Sequence, residues 1–111
     1  WCLCPNANLY IEDTLPDVAM LEQEGLNITL GTDSLASNHQ LSILKEMQTL
    51  QEEKSVSFET LLKWGTINGA RFLGLDDTYG TFSIGKKPGV ILLEDIHNSI
   101  ISDSTRIKRI Y

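Results

Sequence analysis

Ile28-Thr29-Leu30-Gly31-Thr32-Asp33 is short, β-branched at Ile28, Thr29 and Thr32, and closed by a carboxylate. That composition predicts a strand ending at Asp33. Upstream, Trp1-Cys2-Leu3-Cys4 is wholly apolar and is stopped by Pro5. It predicts a strand buried on both faces, as in parallel sheets. Pro5-Asn6-Ala7-Asn8 has the composition of a turn. Pro16 then opens a helix, with Asp17 in its first turn, Val18 and Leu21 at helical spacing and Gly25 just past its end. Strand, helix and strand in roughly thirty residues form a βαβ unit, hence a parallel pair with a right-handed crossover.

Helices follow. Ser37 or Asn38 can cap one from Gln40 to about Glu53, with Leu41, Leu44, Met47 and Leu50 as its core stripe. Ser57 caps another, running to about Leu73 and stopped by Gly74. Phe58, Leu61, Leu62, Gly65 and Gly69 share one face of it, and the glycines predict close approach by a neighbouring backbone. Beyond Gly74 the pattern changes. Thr81-Phe82-Ser83-Ile84, Val90-Ile91-Leu92-Leu93 and the tail from Ile100 to Tyr111 read as small sheet segments.

The 111 residues carry 9 basic and 15 acidic side chains, a net charge of −6. A general nucleic-acid or anionic-membrane binder needs the opposite sign. No apolar run approaches the ~18 residues of a spanning helix. Two cysteines give no disulfide framework and suit a reducing, cytoplasmic setting. Cys2 and Cys4 share one strand face and read as small buried apolar residues, since two sulfurs alone make a poor zinc site. The chain starts at Trp1, within an apolar run, and is expected to be the C-terminal part of a longer protein.

Gly31-Thr32-Asp33-Ser34-Leu35-Ala36-Ser37-Asn38, preceded by Cys4-Pro5-Asn6-Ala7-Asn8-Leu9, resembles the last two barrel strands of the amidohydrolase superfamily. The similarity is to its deaminase and chlorohydrolase branch. Thr66-Ile67-Asn68-Gly69-Ala70-Arg71-Phe72-Leu73-Gly74-Leu75 resembles the helix after that barrel. Gly80-Thr81-Phe82-Ser83-Ile84-Gly85-Lys86 resembles the return to the flanking small β-sandwich. One departure is Lys87-Pro88-Gly89-Val90, where the family usually has an Ala-Asp-Leu-Val-like stretch. The resemblance implies an α/β fold: the C-terminal part of a metal-dependent-hydrolase (β/α)₈ TIM barrel, with residues 1–74 as its last two βα units and trailing helix. Residues 75–111 would return to the composite β-sandwich domain.

A carboxylate ending a parallel barrel strand faces the barrel mouth, where sites of that architecture lie. Without the resemblance, Asp33 reads equally as a turn former or cap. The resemblance implies that Asp33 binds a divalent metal, most simply zinc, or sits beside it and relays protons. It implies a parent enzyme that deaminates or dechlorinates a heterocycle by hydrolysis. Asn8 and Asn6 are candidate substrate contacts, because an amide both donates and accepts; the alternative is plain turn asparagines. The family holds its metal mainly with histidines. His39 and His97 are expected on the surface, so this chain alone is expected to hold no metal and to be inactive. A non-catalytic interaction module and one subunit of a split enzyme remain the rival readings. Two strands cannot close a barrel, so self-association or pairing with a missing N-terminal part is also expected.

Overall fold

The structure, a computed structural model, describes residues 1–111. Strand β1 (Cys2–Leu3) pairs in parallel with β2 (Thr29–Leu30), in the register Cys2 to Thr29 and Leu3 to Leu30. The ladder continues past the strand ends, where Thr29 N–H donates to Trp1 O and Gly31 N–H to Leu3 O, each at 2.8 Å. The connection carries two helices, α1 (Pro5–Glu12) and α2 (Val18–Gln23). The expected turn at Pro5–Asn8 is therefore the first turn of α1. Pro5 stands at the helix start, where a missing N–H costs nothing.

In α2 the cap is Asp17, whose carboxylate accepts from Met20 N–H at 3.0 Å. Gly25 follows with φ of 65°, as the C′ reading required. Helix α3 (Ile43–Lys54) starts later than expected. Ser42 caps it by accepting from Lys45 N–H, so neither Ser37 nor Asn38 is the cap. Leu44, Met47 and Leu50 are buried on α3, whereas Leu41 lies ahead of the helix and is exposed.

The single helix expected from Ser57 to Leu73 is two: α4 (Phe58–Trp64) and α5 (Ile67–Phe72). Thr66, at φ −131° and ψ −93°, leaves helical geometry between them. Both glycines are closely approached, but by side chains rather than by the neighbouring backbone that was expected. A Cβ on Gly69 would sit 3.1 Å from Thr29 Oγ1, and one on Gly65 3.3 Å from Ile43 Cγ2.

Helices α2, α3 and α4 cover Leu3, Ile28 and Leu30 with Val18, Leu21, Leu44, Met47, Leu50, Leu61 and Trp64. Leu3, Ile28 and Leu30 are thus in the core, whereas Trp1 is exposed, and β1 is covered on one side only. Cys2 is exposed and Cys4 half-buried, so the reading of both as buried is corrected. Past Gly74, β3 (Ile91–Glu94) and β4 (Arg106–Arg109) form an antiparallel hairpin, Ile91 opposite Arg109. Thr81–Ile84 is turn and bend rather than strand, and Ile101 is the one buried residue after Gly74.

Candidate functional site at the end of the second strand

Strand β2 ends at Leu30, earlier than the expected end at Asp33, and Asp33 lies three residues past it with φ of 55°, a left-handed conformation that aspartate tolerates better than most side chains. The chain therefore turns sharply at the strand end and leaves the carboxylate exposed. Ser37 Oγ–H donates to Asp33 Oδ2 at 2.7 Å and also reaches Ser34 O at 3.3 Å. Thr32 Oγ1 donates to Asp33 O at 3.1 Å. Four residues of the quoted motif thus hold one another.

Beneath the turn lies a second layer that the sequence reading did not single out. Asn38 Nδ2 donates to Thr32 O at 2.8 Å and to Glu46 Oε1 at 2.7 Å. Glu46 is fully buried. Its other oxygen, Oε2, accepts from Asn6 N–H at 2.8 Å. That contact answers a local need. Cys4, at the N-cap of α1, supplies no side-chain acceptor, so a free N–H at the helix start takes one from α3. One carboxylate thus ties the start of α1 to the backbone just before Asp33. Glu46 escaped notice because a glutamate in a helix rich in charged residues reads as solvated; only tertiary packing buries it.

Asn6 and Asn8 both lie on α1 and are half-buried. The Asn6 amide oxygen accepts from Thr49 Oγ1 at 2.7 Å, so this side chain is engaged with α3. His39 and His97 are exposed, as expected, and His39 packs edge-on against Tyr10 with centroids 5.6 Å apart. Cys4 borders Asp33, whose backbone N–H favours the thiolate form of the Cys4 side chain. Burial pushes the Cys4 thiol above its ordinary value and the neighbouring Cys2 adds to this, while the Asp33 N–H works against both.

A zinc site needs about three protein ligands and an open position. No three His, Cys, Asp or Glu side chains of this chain group in that way. Asp33 offers one carboxylate, so the residues present do not by themselves fit a zinc ion.

The model of the amidohydrolase family matches residues 1–109. The chain belongs to the amidohydrolase family. Among relatives in this family, a 5-methylthioadenosine/S-adenosylhomocysteine deaminase of Teredinibacter turnerae is 31% identical over 112 residues, covering 87% of this chain and 25% of that protein. A 5'-deoxyadenosine deaminase of Methanothermobacter thermautotrophicus is 34% identical over 97 residues, covering 80% and 22%. A zinc-bound crystal structure of an adenosine deaminase from Xanthomonas campestris superposes with a TM-score of 0.69 at 29% identity, covering 77% of this chain and 21% of that one. E. coli guanine deaminase gives 0.65 at 27%, covering 78% and 21%. The chain spans about a quarter of the length of the curated relatives it matches. Its mixed α/β structure is similar to that of amidohydrolase deaminases. No helix is long and apolar enough to cross a membrane.

Proposed function

We propose that this chain is the part of an amidohydrolase that carries its strand-end aspartate, and that the parent is a hydrolytic deaminase of an adenosine-like heterocycle. The observation that supports this most is Asp33 itself. It stands exposed three residues past β2, held by Ser37, in a chain matched by the family model from residue 1 to 109. In this reading residues 1–74 are the last two βα units and trailing helix of a TIM barrel, and residues 75–111 belong to a composite β-sandwich. Dechlorination is the neighbouring chemistry that the same site would support.

Deamination replaces a C–N bond by a C–O bond, with water as nucleophile. Asp33 takes a proton from water and returns it to the leaving amine, and the exposed carboxylate is free for both transfers. Ser37 fixes the carboxylate by donating to one oxygen and leaves Oδ1 for the proton. Asn8 and Asn6 are proposed to stand near the heterocycle. Asp33 is also proposed as one ligand of a divalent metal, zinc by preference, in the parent. The other ligands would come from outside these residues, where the chain is proposed to pair with the rest of its protein. A cytoplasmic location belongs with this reading.

The test is release of ammonia from 5'-methylthioadenosine, S-adenosylhomocysteine, 5'-deoxyadenosine and guanine, and of chloride from a chlorotriazine, by the full-length parent. Turnover of an adenosine derivative with none of the others supports the proposal. The 111-residue chain with added zinc should show no turnover above the metal-only background. Activity there would contradict the assignment of the missing groups to the parent.

A further inference from the structure

Cys2 and Cys4 play no part in the proposed deamination, yet their sulfurs converge on one point. A Cβ built on Gly31 would lie 2.9 Å from Cys2 Sγ and 3.1 Å from Cys4 Sγ. Those two distances bound the S···S separation at about 6 Å. Only glycine leaves the space between them open. The two cysteines flank Leu3: Cys2 opens β1, and Cys4 is the N-cap of α1. Neither is oxidised, and in these 111 residues Cys2 is exposed and Cys4 half-buried. Within this chain no further His, Asp or Glu completes a group of three with them.

Such a donor set is selective by chemistry. Zinc seeks four ligands in a tetrahedron. Soft thiolates favour soft cations, Cu(I) among them. A d¹⁰ monovalent cation is satisfied by two sulfurs in a near-linear arrangement, which two side chains flanking a vacant glycine can supply. A disulfide is a poorer use of the pair, because residues i and i+2 of a strand hold their Cα atoms near the upper limit of about 6.8 Å for a bridge.

We propose that Cys2 and Cys4 form a two-thiolate site for a soft monovalent cation, Cu(I), over Gly31 and beside Asp33. Binding breaks two S–H bonds, forms two S–Cu bonds and releases two protons to solvent; copper stays Cu(I) throughout. The site lies against the candidate catalytic turn, because both sulfurs approach Gly31, two residues before Asp33.

The experiment is an anaerobic titration of the 111-residue chain with Cu(I) held by a chromophoric chelator, followed by the same titration with Zn(II). Amide resonances are recorded alongside, and circular dichroism confirms that each variant folds. One equivalent of Cu(I) should leave the chelator, and the amides of residues 2–4 and 31–33 should shift while those of α3 stay. Cys2→Ser and Cys4→Ser should each weaken binding at least ~100-fold, since the thiolate is the ligand. Zn(II) should move nothing at equal concentration. Unchanged Cu(I) uptake in either serine variant, binding of Zn(II) as tight as Cu(I), or shifts spread outside the two strands would each overturn the proposal. None of these outcomes depends on the deaminase reading.

Discussion

Residues 1–74 and residues 75–111 solve the same problem to very different degrees. The first region lays three helices over one side of a two-stranded parallel sheet, and Leu50 and Leu61 are completely excluded from water. The second pairs β3 with β4 but covers almost nothing: Phe82 is 78% exposed and Tyr111 79%. A hairpin closes its backbone hydrogen bonds without needing a core, whereas apolar side chains need a second layer. Between the regions, Leu62, Thr66, Tyr79, Phe82, Leu93 and Tyr111 line an open groove of about 730 Å³. The difference shows which part of the chain carries a core of its own and which leaves its apolar side chains in water.

The sharpest way to break this comparison is to hollow out the first region. Leu50→Ala and Leu61→Ala should each cost about 2–5 kcal/mol in urea denaturation, the range for a buried leucine. Values under about 1 kcal/mol would mean that the core is looser than its burial indicates. Glu46→Ala comes next. It strands the Asn6 N–H and one Asn38 donor bond, at about 1–3 kcal/mol for each group left unsatisfied. Exchange of the Asn6 amide with deuterium should accelerate with it. If Asn6 exchanges no faster, Glu46 is not what caps α1.

In the second region the effects shrink. Phe82→Ser and Ile84→Ser should change folding stability by no more than about 0.5 kcal/mol, because both side chains are already in water. They should nevertheless lower self-association of the chain in sedimentation at micromolar concentration, since exposed apolar patches of this kind drive it. A monodisperse wild-type monomer would remove that role. The smallest effect concerns the one ion pair joining the regions, Lys45 Nζ to Asp103 Oδ1 at 2.7 Å. Hydrogen bonds from Lys45 and Gln48 hold the Asp103 carboxyl below its ordinary value. The folded value is lower than the unfolded one, so this contribution is full above about pH 4 and is lost as pH falls through the folded value. Carboxyl NMR titration should show the depression in wild type and its reduction in Lys45→Met. An Asp103 titration unchanged by Lys45→Met would mean that the pair does not form in solution.

Legibility in the sequence follows the range of the forces involved. Gly25, Asp17, Ser57 and the Leu44-Met47-Leu50 stripe are local signals, and the parallel pair and three helix positions were readable from them. The α1 helix was not. Pro-Asn-Ala-Asn has turn composition, and the acceptor that starts this helix, Glu46, stands forty residues away. The break at Thr66 and the loss of strand at Thr81–Ile84 have the same origin: both depend on what packs alongside rather than on neighbours in the chain. At the candidate site the motif made Asp33 visible, and Ser37 and Asn38 were quoted with it, but as helix caps. Their use beneath the aspartate, and the buried Glu46 that completes the layer, appear only in three dimensions.

The central claim is that the left-handed turn after β2 presents a working aspartate. The direct measurement is steady-state turnover of the full-length parent carrying Asp33→Asn, with an adenosine derivative as substrate and circular dichroism as the check on folding. Asparagine keeps the size and the acceptor for Ser37 but cannot take a proton. The expected result is a native spectrum with kcat lowered at least ~10²-fold, the range of general acid–base catalysis. A native spectrum with kcat near wild type would contradict the claim and leave Asp33 as a turn residue.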